Sequence, residues 1–210
     1  MVRRSKCAFI PFLIFLSSFF QMAYAQTRSP EKIVPMCQQC HGANLEGNAP
    51  VLAPAIAGLP AWYTEAQLVK FRNDIRGKHP RDIGGMKMRP LMLYLRNDEE
   101  AKLLGEYIEK LPKNPAAQTV TGDVSRGKER YALCQSCHGE NAQGIKELNA
   151  PPLTISDDWY YLTQLKNFKI KARGGDAAAD PIGNQMIAIA ATLEDEQVMK
   201  DIIAYINTLR

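Results

Sequence analysis

The sequence predicts an all-α chain built from one small helical domain used twice in tandem, on three observations. Residues of unrelated type recur at a fixed offset. Apolar residues recur at helical rather than strand spacing. Turn-forming residues cluster at one place between the recurring segments.

The repeat is explicit. Cys37-Gln38-Gln39-Cys40-His41-Gly42 returns as Cys134-Gln135-Ser136-Cys137-His138-Gly139, an offset of 97. That offset also carries Asn44 to Asn141, Gly47 to Gly144, Pro54 to Pro151, Trp62-Tyr63 to Trp159-Tyr160, Gln67-Leu68 to Gln164-Leu165, Phe71 to Phe168 and Arg76-Gly77 to Arg173-Gly174. One extra residue then enters the second half, and at offset 98 Met88 maps to Met186, Leu95 to Leu193 and Tyr107 to Tyr205. The join falls between Leu111 and Gly122, where Pro112, Asn114, Pro115 and Gly122 disfavour helix and strand. The layout expected is a leader over 1–25, a first domain over 26–111, a linker over 112–122 and a second domain over 123–210.

Taken in order, Arg3, Arg4 and Lys6 form a positive n-region before an apolar stretch from Ala8 to Phe20, and Ala23-Tyr24-Ala25 has the small-x-small pattern of a cleavage site. This reads as an export signal with a mature start at Gln26; the alternative is an uncleaved N-terminal anchor. Without the three basic signal residues, 23 Lys and Arg stand against 22 acids, a near-neutral balance that gives nucleic acid no electrostatic reason to bind. The segments Trp62–Phe71 and Trp159–Phe168 read as a short helix in each half. Asn97 or Asp98 can cap a further helix carrying Leu103, Leu104, Tyr107, Ile108 and Leu111 on one face, and Glu194, Asp195 and Glu196 lead into Val198, Met199, Ile202, Tyr205, Ile206 and Leu209 in the same way. The stretch around His79 reads as a Gly- and Arg-rich loop.

The chemistry lies in the two Cys-x-x-Cys-His runs, the attachment signature of c-type haem. Two thiols a turn apart reach the vinyl groups on one porphyrin edge, and the adjoining imidazole takes the proximal iron position. Cys37, Cys40 and His41 form one such site and Cys134, Cys137 and His138 the other, giving two covalent haems per chain. Each half is small for a self-sufficient core, and a buried porphyrin supplies apolar surface. The second nitrogen of each histidine needs an acceptor, for which the carbonyl of Pro54 or Pro151 is the candidate. A zinc site, a thioredoxin-like redox pair and a strained two-residue disulfide are the competing readings; the pairs lie far apart, no strand–helix setting surrounds them, and each carries its own histidine.

For the distal ligand the first half offers Met86, Met88 and Met92, and the second Met186 and Met199. Only Met88 and Met186 correspond under the repeat, so they are the expected pair, with Met86 the competitor; Met199 sits at an apolar helical spacing that suits a core residue. His79 has no counterpart and is expected at the surface or near a propionate. Arg76 and Arg173, which do repeat, read either as partners of the haem propionates or as solvated loop residues. His/Met coordination fills both axial positions, so the act expected is outer-sphere electron transfer.

Both CxxCHG motifs, Pro54 and Pro151, the Tyr-x-x-x-Gln-Leu-x-x-Phe segments from Tyr63 and Tyr160, and the Met-x-x-x-x-x-x-Leu pattern before each final helix resemble the diheme class I cytochromes c of the cytochrome c-four type. The resemblance spans nearly all of the mature chain. It implies two tandem class I cytochrome c domains, each a small helical fold around one covalent haem c, packed about a pseudo-twofold with the haems close enough to exchange electrons. It implies a periplasmic carrier working between respiratory redox partners such as a dehydrogenase, a respiratory complex or a terminal oxidase, not itself an enzyme, with membrane association only through a partner or an uncleaved anchor. One departure stands out. The glycine and aromatic expected on the opening helix are present as Gly127 and Tyr131, but in the first half those places hold Pro30 and Val34, with Pro35 just before Cys37. That helix is expected to be short or irregular, and the two haems to differ in potential. Eight Lys or Arg and two acids between Ala66 and Arg96 read as a docking face for an acidic redox partner or as a solvated loop. The rival functions are a haem enzyme of peroxidase or thiosulfate-oxidising type with an open iron, and a fixed cytochrome subunit of a larger oxidoreductase.

Overall fold

A computed structural model describes residues 26–113 and 117–210; the expected signal segment and the middle of the linker lie outside them. The described residues hold eight α-helices and no strand beyond two isolated bridges. The first half contains α1 (Pro30–His41), α2 (Ala61–Arg72), α3 (Ile83–Met92) and α4 (Asp98–Glu109). The second contains α5 (Val124–His138), α6 (Asp158–Lys169), α7 (Pro181–Thr192) and α8 (Glu196–Asn207).

The duplication holds at the level of backbone conformation. The left-handed non-glycine residues Leu45, Leu52 and Asp74 are matched at the repeat offset by Ala142, Asn149 and Lys171, and the bridge Asn48–Ala53 by Ile145–Ala150. The helices expected at Trp62–Phe71, Trp159–Phe168 and the two C-terminal segments all form, the last pair capped by Asn97 onto Glu100 N and by Asp195 onto Val198 N. α3 forms within the basic stretch that reads as a docking face or a solvated loop, and α7 where the sequence reading placed no element. Asp82 and Asp180 start them by accepting the amides of Gly85 and Gly183, and Pro181 occupies the first helical position of α7.

The halves differ at their entrances. α5 has 15 residues and α1 only 12, so the first helix is short as expected, yet it remains helical through Pro35. In the second half α8 packs chiefly on α5, and a Cβ at Gly127 would collide with the carbonyl of Asp201. In the first half α4 packs chiefly on α2 instead, with Gly105 set against the Ala61 carbonyl. The incoming segment of the first half is tied down by Arg28, whose backbone amide and guanidinium bond the fully buried Glu100 at 2.7–2.9 Å. In the second half Asp201, also fully buried, takes the Asp123 amide at 2.8 Å and the Arg126 guanidinium.

Ile33, Val34, Leu68, Phe71, Met92 and Leu104 anchor one core, and Tyr131, Leu193, Met199, Ile202 and Ile206 the other. A third cluster puts Ile155 of the second half among Leu45, Leu59 and Ile108 of the first, so the halves share apolar burial.

Candidate haem sites and the interface between them

Each CxxCH run closes a helix. Gly42 and Gly139 follow the histidines with φ of 89° and 84°, a conformation that ends the helix and that side chains resist. The chain then folds back: the amides of Gly47 and Gly144 bond the carbonyls of His41 and His138 at 2.7 Å, and the bridge in each loop closes it. This return brings the Pro54 carbonyl to 2.7 Å from His41 Nδ1 and the Pro151 carbonyl to 2.7 Å from His138 Nδ1. A carbonyl can only accept, so each Nδ1 carries the proton and each Nε2 presents a lone pair. Burial lowers both histidine pKa values, against the opposing pull of the prolyl carbonyl, which keeps the imidazoles in the neutral form that binds a metal.

No disulfide joins Cys37, Cys40, Cys134 or Cys137. Burial pushes Cys37 and Cys134 up to about 11. All four, with both histidines, line one continuous cavity of about 690 Å³ that runs through both halves. Met88 and Met186 line it, as does the buried Met92. Met86 is 45% exposed and lies outside the lining, as do Met199, buried in the second core, and His79, which accepts the Arg81 amide in its own turn.

Arg76 and Arg173 are not solvated loop residues: both are buried between the halves and line the cavity. Arg76 donates to Gln67 of its own half at 2.9 Å and to Tyr160 and Gln164 of the other at 2.8 and 3.1 Å. Arg173 does the same in mirror: Gln164 at 2.9 Å, then Tyr63 and Gln67 at 3.1 and 3.0 Å. Each guanidinium also lies over a repeat-matched ring, Phe71 at 4.5 Å and Phe168 at 4.7 Å. This crosswise exchange is the pseudo-twofold. The Tyr63 hydroxyl sits below its usual pKa: burial opposes that direction, and the two guanidinium charges outweigh it. The pairing is long-range, so the sequence carries it only as a repeat of residue types. The interface continues through Ser156 to the Ala55 carbonyl at 2.7 Å and the Ala55 amide to Asp157 at 2.6 Å.

The chain matches the cytochrome c family twice, over residues 31–112 and 124–210. It belongs to the cytochrome c family. A curated relative, the thiosulfate dehydrogenase electron acceptor of Stutzerimonas stutzeri, is 29% identical over 77% of this chain and 74% of its own. Cytochrome c4 of Azotobacter vinelandii is 36% identical over 37% of this chain and 35% of its own. The crystal structure of reduced recombinant cytochrome c4 from Pseudomonas stutzeri superposes with a TM-score of 0.67 at 21% identity, covering 87% of this chain and 98% of that one.

The chain is therefore a diheme cytochrome c that takes part in electron transfer, with one covalent haem c in each tandem domain. The residues fit that group on their own evidence: paired thiols beside an imidazole with a free lone pair, an apolar-lined cavity reaching both, and a buried Arg76 Nε with no partner among the described residues, as suits an acidic group arriving there. When bound, haem iron supplies the one-electron couple; the chain supplies the ligand geometry, the exclusion of water and the contact between halves.

Proposed function

We propose that this chain is an exported two-haem electron shuttle. His41 and Met88 ligate the first iron, His138 and Met186 the second, and electrons pass between the two domains on their way from a protein donor to a protein acceptor. The observation that supports this reading is a cavity lined by both CxxCH histidines, each braced on a prolyl carbonyl, and by Met88 and Met186, the methionines that correspond under the repeat. Both axial places are then filled by protein, which suits electron carriage and leaves no iron position for a substrate. In this reading the mature chain starts at Gln26, works in the periplasm, carries domains over 26–111 and 123–210 joined by 112–122, and catalyses no reaction of its own. Among the described residues no helix is long and apolar enough to cross a membrane.

The donor class is an oxidoreductase that hands single electrons to a protein, a class supported by the relative named as an electron acceptor of thiosulfate dehydrogenase; the acceptor is a respiratory complex such as a terminal oxidase. The basic stretch of the first half is narrower than its composition suggests. Lys70, Arg72 and Arg89 are paired with Asp180, Asp98 and Asp74, and Arg76 is buried. Arg96 is tied to the Gln26 carbonyl, and Lys78, Arg81 and Lys87 remain without an ion-pair partner among the described residues, the last two beside Ile83 and Leu91 on the cavity lining. The repeat places Asp176, Ala179 and Gln185 at the matching sites of the second half. The first domain is thus the one that fits an acidic partner surface, held briefly and steered by charge.

The test is the reduced spectrum of the purified holoprotein, with haem quantified, before and after carbon monoxide. Two haems per chain and an unchanged spectrum are expected. A shift at either haem means an iron open to small molecules, and the carrier reading gives way to an enzyme.

A further inference from the structure

Each half holds the start of the other half's ligand helix. Asp82 caps α3 and Asp180 caps α7, six residues before Met88 and Met186 respectively. Both carboxyls are buried, at 2% and 4% exposure. Each cap is gripped across the interface. Asn167 of α6 donates to Asp82 Oδ1 at 3.1 Å, and Lys70 of α2 donates to Asp180 Oδ1 at 2.6 Å. Lys70 and Asn167 are the same position of the repeat, and so are Asp82 and Asp180, so one clamp is built twice with an ammonium in one copy and an amide in the other. The glycine loops press on the same spot: a Cβ at Gly77 or Gly174 would run into the carbonyl of Gly85 or Gly183 in the first turn of α3 or α7. The ligand helices have little room to shift unless the clamps let go.

The two clamps differ in charge. Burial raises the pKa of Asp180, yet the Lys70 hydrogen bond, the Gly183 amide and the Lys70 and Arg173 charges hold it below the ordinary value, so a carboxylate and an ammonium cancel beside the second site. At the first site Asp82 meets the Asn167 amide and the Gly85 amide, and its Oδ2 has no partner among the described residues. Arg76 and Arg173 are arranged alike about the pseudo-twofold and do not distinguish the sites. Lys70, Asp82 and Asp180 line the cavity, and both carboxyls and Asn167 are buried, so a charge held there is weakly screened.

We propose that Lys70 and Asn167 are positioning residues that act across the interface, each on the haem of the opposite domain, and that the ammonium-for-amide exchange sets the second haem at the higher potential. A positive charge favours the ferrous form and an uncancelled carboxyl the ferric. This rests on Met88 and Met186 being the distal ligands, and the experiment separates the two ideas. In the holoprotein, Met88→His leaves the long-wavelength sulfur-to-iron absorption reporting the second haem alone, and Met186→His leaves it reporting the first. If neither substitution removes about half of that absorption, the ligand assignment fails, whatever the clamps do. With the absorption behaving as expected, Lys70→Asn is followed by spectroelectrochemical titration. The midpoint of the second haem should fall by more than that of the first, and Lys70→Arg should restore it. Asn167→Lys, which needs no loss of an existing ion pair, should raise the first haem and narrow the gap. The proposal is overturned if Lys70→Asn moves the first haem as much as the second or moves neither, or if Asn167→Lys leaves the gap unchanged.

Discussion

The entry of the chain into the first domain hangs on one carboxylate, and Glu100→Gln measures it. Glu100 is fully buried and accepts from the Arg28 amide and guanidinium and from the Arg96 amide at 2.9 Å. The Arg28 hydrogen bond, opposed by burial and reinforced by the backbone amides, pulls its pKa from 4.5 to about 2. A depression of that size corresponds to roughly 3 kcal/mol, at 1.36 kcal/mol per pKa unit. Because the folded pKa lies below the unfolded one, this stability is complete above about pH 4.5 and is lost as pH falls toward 2. The glutamine variant keeps the shape, removes the charge and turns a donor toward donors. It should therefore lose about 3 kcal/mol at pH 7 and almost nothing at pH 2 relative to the parent. The chain has two tryptophans, Trp62 and Trp159, one in each half, so a Trp159→Phe background leaves fluorescence that reports the first domain alone as haem quenching is relieved on unfolding. Guanidinium titrations between pH 2 and 7 give the two curves. Parallel curves, or a difference under about 1 kcal/mol at pH 7, would refute the reasoning, since exposed ion pairs are worth up to about that much.

Three further outcomes are expected. Gly127→Ala drives a methyl into the Asp201 carbonyl and should cost about 1–3 kcal/mol in the second domain only, read through Trp159 fluorescence in a Trp62→Phe background; an unchanged midpoint would mean that α5 and α8 can separate freely. Met88→Ala should abolish the sulfur-to-iron absorption of one haem while Met86→Ala leaves both intact, because Met86 points away from the cavity; the reverse result would exchange the ligand assignment. Reversing charge with Arg81→Glu and Lys87→Glu should slow electron exchange with an acidic cupredoxin at least tenfold at low salt and flatten its salt dependence, with exchange by a small neutral reagent unchanged; equal loss with Gln185→Glu in the second domain would remove the preference for the first.

What the sequence disclosed was whatever is local or doubled. The CxxCH runs, the prolyl acceptors and the two C-terminal helices each declare themselves within a short window, and the repeat singles out Met88 and Met186 from five candidate methionines. α3 was hidden by Gly84, Gly85 and Pro90, which read as loop, and α7 by an uncharged, nearly uniform apolar stretch with little helical period. A capping signal was nonetheless present in both: an aspartate three residues before a glycine, followed in α7 by proline at the first helical position. The arginines were harder. Arg76 and Arg173 serve the opposite half through residues 84 to 110 positions away, a distance over which composition says nothing. The basic stretch is thinner than its sum of charges because such a sum ignores pairing: five of its eight cations are engaged within the protein, Lys70, Arg72 and Arg89 by Asp180, Asp98 and Asp74, Arg76 in the buried network and Arg96 by the Gln26 carbonyl.

The pattern of sameness and difference between the halves follows from which contacts cross the interface. Tyr63, Gln67 and Arg76 each have an identical counterpart, and each joins a network shared by both halves, so changing one member strands a donor or acceptor in the other domain as well as its own. The contacts that tie down the entry to each domain, whose partners lie within that domain, have drifted apart. The buried acid of the final helix is Glu100 in the first half and Asp201 in the second. The repeat equivalent of Glu100 is Val198, three residues before Asp201, so the acid has moved by close to one helical turn. Both acids still do the same work, taking a backbone amide and a guanidinium from the segment that enters the domain. The electrostatic solution is shared and its register is not, which is what a small domain allows where no second copy depends on the position. Crossing the interface does not by itself enforce identity: Ser156, Asp157 and Ala55 bond across it without repeat counterparts, and Lys70 and Asn167 cross it and differ. Both can donate a hydrogen bond, so the clamp survives the change, and what is altered is the charge placed beside the opposite haem site.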